Sequence, residues 1–175
     1  MPEERGRRAA FAGRPAPDYR TGTGTRALRL AAWAVFVAGV LLIAARYPAL
    51  PATIPTHFDA TGTPDGFGPR TSILWLPLLW FVLQAGLLAL SRYPRIFNYP
   101  VPVTADNAQR LYREGEQLMV VLAAEVAVMF LGIVLMMLDG ASTGRLALGA
   151  GPVLAGAGLV GVLAACVVGI VRMLR

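Results

Sequence analysis

Apolar residues in this chain come in four near-continuous blocks rather than at amphipathic intervals. They are residues 30–45 (LAAWAVFVAGVLLIAA), 73–90 (ILWLPLLWFVLQAGLLAL), 118–138 (LMVVLAAEVAVMFLGIVLMML) and 146–171 (LALGAGPVLAGAGLVGVLAACVVGIV). Crossing the hydrocarbon core takes roughly 20 apolar residues as a helix, with a range of about 17–25. The last two blocks reach that length unaided. The second is just long enough, and the first becomes so by running on into residues 47–50 with Arg46 snorkelling to the interface. Lipid offers no partner to a bare N–H or C=O, so each block must satisfy its own backbone as a helix. The pattern predicts an all-α integral membrane protein with four transmembrane helices, at about 28–47, 72–91, 105–138 and 146–172.

Two polar stretches separate these blocks. Residues 55–70 read PTHFDATGTPDGFGPR and hold His57, the one histidine of the chain. Pro51 and Pro55 keep the lead-in extended, and Thr63-Pro64-Asp65-Gly66 is a turn signal. Residues 92–116 read RYPRIFNYPVPVTADNAQRLYREGE. Here Pro94, Pro100 and Pro102 hold the first half extended, Thr104 suits an N-cap, and Asp106 suits the first helical turn. A helix from near Ala105 to Leu138 has about 34 residues and is roughly 51 Å long, so part of it stands out of the bilayer. Gly115 is a candidate kink.

Composition agrees with the pattern. The chain has 175 residues, of which 56% are hydrophobic and 15% charged, against about 25% charged in an ordinary globular domain. There is no lysine, and thirteen of the sixteen arginines fall before the first block, between the second and third, or at the C-terminus. Arg46, Arg70 and Arg145 fall on the other side. The positive-inside rule then predicts that both termini are cytoplasmic and that residues 55–70 lie outside. Residues 1–26, rich in Arg, Gly, Pro and Thr, read as a disordered cytoplasmic tail held near anionic membrane lipids. The stretch before the first block is too long for the n-region of a signal peptide, and no clean cleavage site follows that block. A pI near 10.4 would suit nucleic acid, but no basic face is interleaved with aromatics, so no nucleic-acid role is expected. A single cysteine, Cys166, excludes an intrachain disulfide.

Within this frame a few residues carry chemistry. Gly156, Gly158 and Gly161 spell G-x-G-x-x-G, but the dinucleotide motif needs a strand before it and a helix after it, and here it lies inside an apolar run. Packing explains it better: Ala157, Gly161, Ala165 and Gly169 form an every-fourth stripe of small residues that lets helices approach closely, within the subunit or in a homo-oligomer. Glu125 sits seven residues into the third block, where an acidic group is expensive. It reads equally as a proton relay or substrate contact and as a structural hydrogen-bond partner, with Gln84 as the candidate mate. In the outer stretch, His57, Asp59 and Asp65 admit three readings. One His and two Asp are few ligands for a metal, and neither metal nor cofactor is expected. His57 oriented by a carboxylate could do acid–base work. The spacing favours a self-capping loop in which Asp59 and Asp65 accept backbone N–H bonds and His57 ties the loop to a helix end.

The pattern Pro55, His57, Phe58, Asp59, Gly62, Asp65, Gly68, closed by Arg70, resembles the signature of a bacterial membrane domain of unknown function that also occurs in the N-terminal part of SdpI-like immunity proteins. Residues 97–113, FNYPVPVTADNAQRLYR, resemble the segment after the second helix in short relatives. The resemblance spans about residues 30–120 and implies a multi-pass protein of the bacterial cytoplasmic (inner) membrane. It also implies a non-enzymatic accessory or immunity role, in which the outer loop meets a peptide toxin, a lipid headgroup or a partner membrane subunit. Asn is common where Asp59 stands. The competing readings from the residues themselves are a small membrane enzyme using His57 with Asp59 and Asp65 on a lipid-like substrate, and a proton-coupled transporter subunit using Glu125.

Overall fold

A computed structural model describes residues 13–59, 63–145 and 149–175. Four helices long and apolar enough to cross a membrane dominate it. Helix α1 spans Thr23–Arg46 and ends in a 3-10 turn, Tyr47–Ala49. Strands β1 (Thr53–Phe58) and β2 (Pro64–Pro69) follow, then a 3-10 turn, Arg70–Leu74, that runs into α2 (Trp75–Leu90). A third 3-10 turn, Pro94–Ile96, lies on the way to α3 (Ala108–Thr143), and α4 (Ala150–Leu174) closes the fold.

The four-helix expectation stands, and the addition is the antiparallel hairpin between α1 and α2. At 16 residues α2 is about 24 Å long, short of a hydrocarbon core of about 30 Å. The five residues of the preceding 3-10 turn rise about 2 Å each and bring the whole to roughly 34 Å. α1 starts at Thr23, earlier than its apolar block suggested, and α3 at Ala108. Thr104 does not act as the expected N-cap. Asn107 occupies that position, and its Oδ1 accepts the Thr104 N–H at 2.9 Å. α3 runs through Gly115 without interruption. The glycine there makes room rather than a kink: a Cβ at 115 would stand 2.7 Å from the Tyr99 hydroxyl and 2.9 Å from the Phe97 ring. At its far end α3 stops at Gly144, the one described residue with a left-handed φ, +70°, whose N–H returns to the Gly140 carbonyl at 2.9 Å. Only glycine adopts that conformation without a Cβ penalty.

α3 is the central element, packed against α1, α2 and α4. Between α1, α2 and α3 the core is aromatic. Trp80 is fully buried, stacks on Phe130 at 5.8 Å and meets Phe36 edge-on at 5.2 Å. It fits because residue 39 is glycine, where a Cβ would lie 2.5 Å from the indole. Leu88, Val120 and Ala123 form a second buried cluster, and many other apolar side chains point outward, Leu41, Leu79 and Val160 among them, each more than half exposed. In water so much bare apolar surface would drive association. Against acyl chains it is the required exterior.

α4 docks on α3 through small residues, along a different line from the every-fourth stripe. Ala157 is exposed, whereas Gly151, Gly158 and Gly169 are buried. A Cβ at 158 would lie 2.6 Å from the Met129 nitrogen and 2.7 Å from the Glu125 carbonyl oxygen, and one at 132 would strike the Ala155 backbone. Gly161 and Gly169 do face α3, toward the Glu125 carboxylate and Leu118 respectively. The contact line therefore advances by steps of three as well as four, through 151, 155, 158 and 161, so an every-fourth line that includes 161 and 169 misses it at 157.

At the end of the bundle where α1 and α3 begin and α4 ends, residues 14–21 lie along the 92–116 connector rather than detached from it. Arg14 donates to the carbonyls of Arg95 (2.8 Å) and Phe97 (2.7 Å), and Arg95 returns a bond to the Arg14 carbonyl. Gln109 bridges the Asp18 N–H and the Ala16 carbonyl. Beneath this strap Glu116, 4% exposed, accepts from Arg29 at 3.0 Å and from the Thr21 hydroxyl at 2.8 Å. Arg29 also donates to Ser91 at 3.1 Å. Burial, reinforced by the Glu116 charge, holds the Tyr19 phenol protonated well beyond its ordinary range. Residues 1–12, the remainder of the expected tail, lie outside the described residues.

Candidate functional site

The hairpin owes its position to apolar side chains at its base. Ile54 on β1 and Ile73 in the following turn are fully buried. The Phe58 ring lies across Gly140 on α3, where a Cβ would come within 2.5 Å of it. The Arg70 N–H bonds the Ala52 carbonyl at 2.9 Å, and its guanidinium stands 5.3 Å over the Tyr47 ring. Arg70 thus clamps the exit of the hairpin to the exit of α1, by a backbone bond and a cation–π contact.

The turn expected at 63–66 is not there. Pro64, Asp65 and Gly66 belong to β2, and the chain reverses between Asp59 and Thr63 instead. Asp59 closes that reversal twice: its N–H bonds the Thr63 carbonyl at 2.9 Å, and its Oδ1 accepts the Thr63 N–H at 2.9 Å. A short acidic side chain bonding a nearby backbone group is the usual reason for Asp at a turn. Gly62 lies outside the described residues.

Strand register then decides which carboxylate meets the histidine. Pro55 pairs with Phe67, His57 with Gly66, and Phe58 with Pro64, with irregularities on both sides of His57. β1 carries an extra residue at Thr56 and β2 one at Asp65. Bulges of this kind re-aim side chains. The outcome is a contact of 2.5 Å between His57 Nδ1 and Asp65 Oδ1, made on the surface by side chains 71% and 48% exposed. Asp59, which shares the strand direction with His57 in the sequence, is engaged by the turn, so Asp65 takes the place beside the imidazole. With Nδ1 occupied, Nε2 is the ring nitrogen left to accept or donate a proton. Gly66 keeps the pair close, since a Cβ there would be 3.0 Å from that of His57.

This dyad has the form of an oriented base, and its surroundings are exposed and largely apolar. Among the described residues no group of three His, Cys, Asp or Glu could hold a metal ion. The neighbours that stand out are apolar: Phe67, 64% exposed and on the same exposed alternation of β2 as Asp65, and Trp75, 71% exposed at the start of α2. Sequence reasoning passed over both. Phe67 sits in a glycine-rich stretch and Trp75 inside an apolar block, so neither differs from a core residue until the strand is drawn.

The two intramembrane polar residues do not pair with each other. Gln84 is fully buried between α2 and α1, accepting from the Trp80 indole N–H at 2.8 Å and donating to the Ala32 carbonyl at 2.9 Å. It is a structural link. Glu125 points to the other side of α3, toward Gly161 on α4, so the helix itself separates the two.

An uncharacterized protein of Archaeoglobus fulgidus is 37% identical to this chain over 94 residues, which are 49% of the chain and 50% of the relative. The chain thus spans about half the length of that curated relative. No solved structure matches it. Residues 34–81, from within α1 through the whole hairpin and into α2, match the family described as a domain of unknown function, DUF1648.

Proposed function

We propose that this is a non-enzymatic, SdpI-like protein of the bacterial cytoplasmic membrane, whose hairpin faces outward and binds a membrane-active peptide in an immunity role. The observation that carries the reading is the hairpin itself. It is anchored by Ile54, Phe58 and Ile73 and closed by Asp59, while it presents an ion pair and a bare Phe67 beside it. An anchored hairpin with an exposed aromatic and a few oriented polar groups has the form of a binding surface. The arginine distribution supports the outward placement. Cysteine introduced at Thr56, in a background with Cys166 replaced by serine, should react with an impermeant thiol reagent in intact cells. Cysteine at Asp106 should react only after the membrane is opened. The opposite pattern would reverse the orientation.

Function is tested by survival of a toxin-sensitive bacterium expressing the chain at matched membrane abundance. Protection is expected from the parent. His57→Gln, Asp65→Asn and Asp59→Asn should keep most of it, because the amides retain hydrogen-bonding capacity. Phe67→Ser should lose it. An oriented base would give another pattern: His57→Gln inactive, Asp65→Asn severely impaired, Phe67→Ser mild. That pattern would establish the enzyme reading, and absence of protection by the parent would remove the immunity role.

A further inference from the structure

A second site opens at the opposite end of the bundle from the hairpin. A cleft of about 530 Å³ lies between α1, α3 and α4, within the range of about 300–1,000 Å³ usual for small-molecule sites. Its mouth holds Glu114 and Arg172, 3.9 Å apart. Its walls are largely apolar, with Leu28, Leu118, Val121 and Val168 among them and Thr25 and Gln117 as polar exceptions, and its deep end is Glu125. Eleven residues separate Glu114 from Glu125 on α3, which places that carboxylate about 16 Å inward along the helix axis. Gly161 forms the floor beneath it, where any Cβ would strike the carboxylate. Among the described residues Glu125 makes no hydrogen bond or ion pair. α1 contributes only Gly24, Thr25 and Leu28, and α4 contributes no charge except Arg172 at the mouth.

From this geometry we infer that the cleft is a binding site for a lipophilic monocation, its charge held by Glu125 and its apolar body lying along Leu118, Val121 and Val168. The argument is one of complementarity. An acidic group at this depth is costly to keep charged without a partner, and the protein supplies none. A permanently charged, strongly hydrated ion would lose too much solvation on entry, whereas a cation with its charge spread over apolar groups loses little and matches the walls. The small residues of α4 hold the space open on one side. Leu28 and Val121 close the other.

Tetraphenylphosphonium is the probe, measured by equilibrium dialysis against the purified full chain in detergent. Tetraphenylborate, of the same shape and opposite charge, is the control. Saturable binding of the cation is expected at one per chain, with the anion at least tenfold weaker. Glu125→Gln, which keeps the shape, should weaken cation binding at least tenfold, and Val168→Trp, which fills the cleft from the other wall, should do the same with Glu125 intact. Size-exclusion profiles confirm that both variants remain folded, and if one does not, the other decides. Equal binding of cation and anion, binding unchanged in a folded variant, or no binding by the parent because a second copy or lipid fills the cleft, would each overturn the assignment. None of these outcomes depends on what the hairpin binds.

Discussion

Glu116→Ala should destabilise the bundle by about 3 kcal/mol. Removing one partner of a buried ion pair costs about 3–5 kcal/mol, because the other charge is stranded. The lower end applies here, since the Arg29 side chain keeps 20% of its surface exposed and retains its bond to Ser91. The Thr21 hydroxyl loses its acceptor in the same step, which loosens the strap of residues 14–21. Glu116→Gln keeps an acceptor for both donors and should fall between alanine and the parent. Equilibrium unfolding in mixed detergent micelles measures the difference. A change of less than about 1 kcal/mol for alanine would mean that the network adds no more than a surface pair does.

Gly158→Leu should separate α4 from α3. Overpacking a tight site costs about 1–3 kcal/mol, and more where the obstacle cannot move aside. The atoms nearest a Cβ at 158 are α3 backbone, at 2.6 and 2.7 Å, so only a shift of the whole helix makes room. Ala157→Leu, on the exposed face one residue away, should stay within about 0.5 kcal/mol of the parent. Gly161→Leu should lie between them, because its obstacle is the end of the Glu125 side chain, which can swing away. Proteolysis of the α3–α4 connection and thermal unfolding in detergent both report the docking. Equal behaviour of the 157 and 158 variants would place the seam elsewhere on α4.

Four spans follow from the local pattern alone. A helix in lipid needs only length and apolarity, both of which are local, so residues 30–45, 73–90, 118–138 and 146–171 announced themselves without reference to one another. The pattern also marked 55–70 as the unusual connector and named Asp59 and Asp65 as loop-closing residues, of which Asp59 closes the turn while Asp65 meets His57 instead. Which side chains face one another follows only from how the elements pack. Whether Asp59 or Asp65 meets His57 turns on two bulges that shift strand register by one residue each, and spacing along the chain does not encode register. Whether Glu125 meets Gln84 turns on which sides of α3 the neighbouring helices occupy. The seam of α4 shows the same limit: the every-fourth stripe and the observed line of mixed three- and four-residue steps share Gly161 and Gly169, and only the partner helix separates them. Thr21 and Arg29 lie 95 and 87 residues from Glu116, and all three are ordinary in type. They become a network because the strap, α1 and α3 converge at the end of the bundle where α1 and α3 begin.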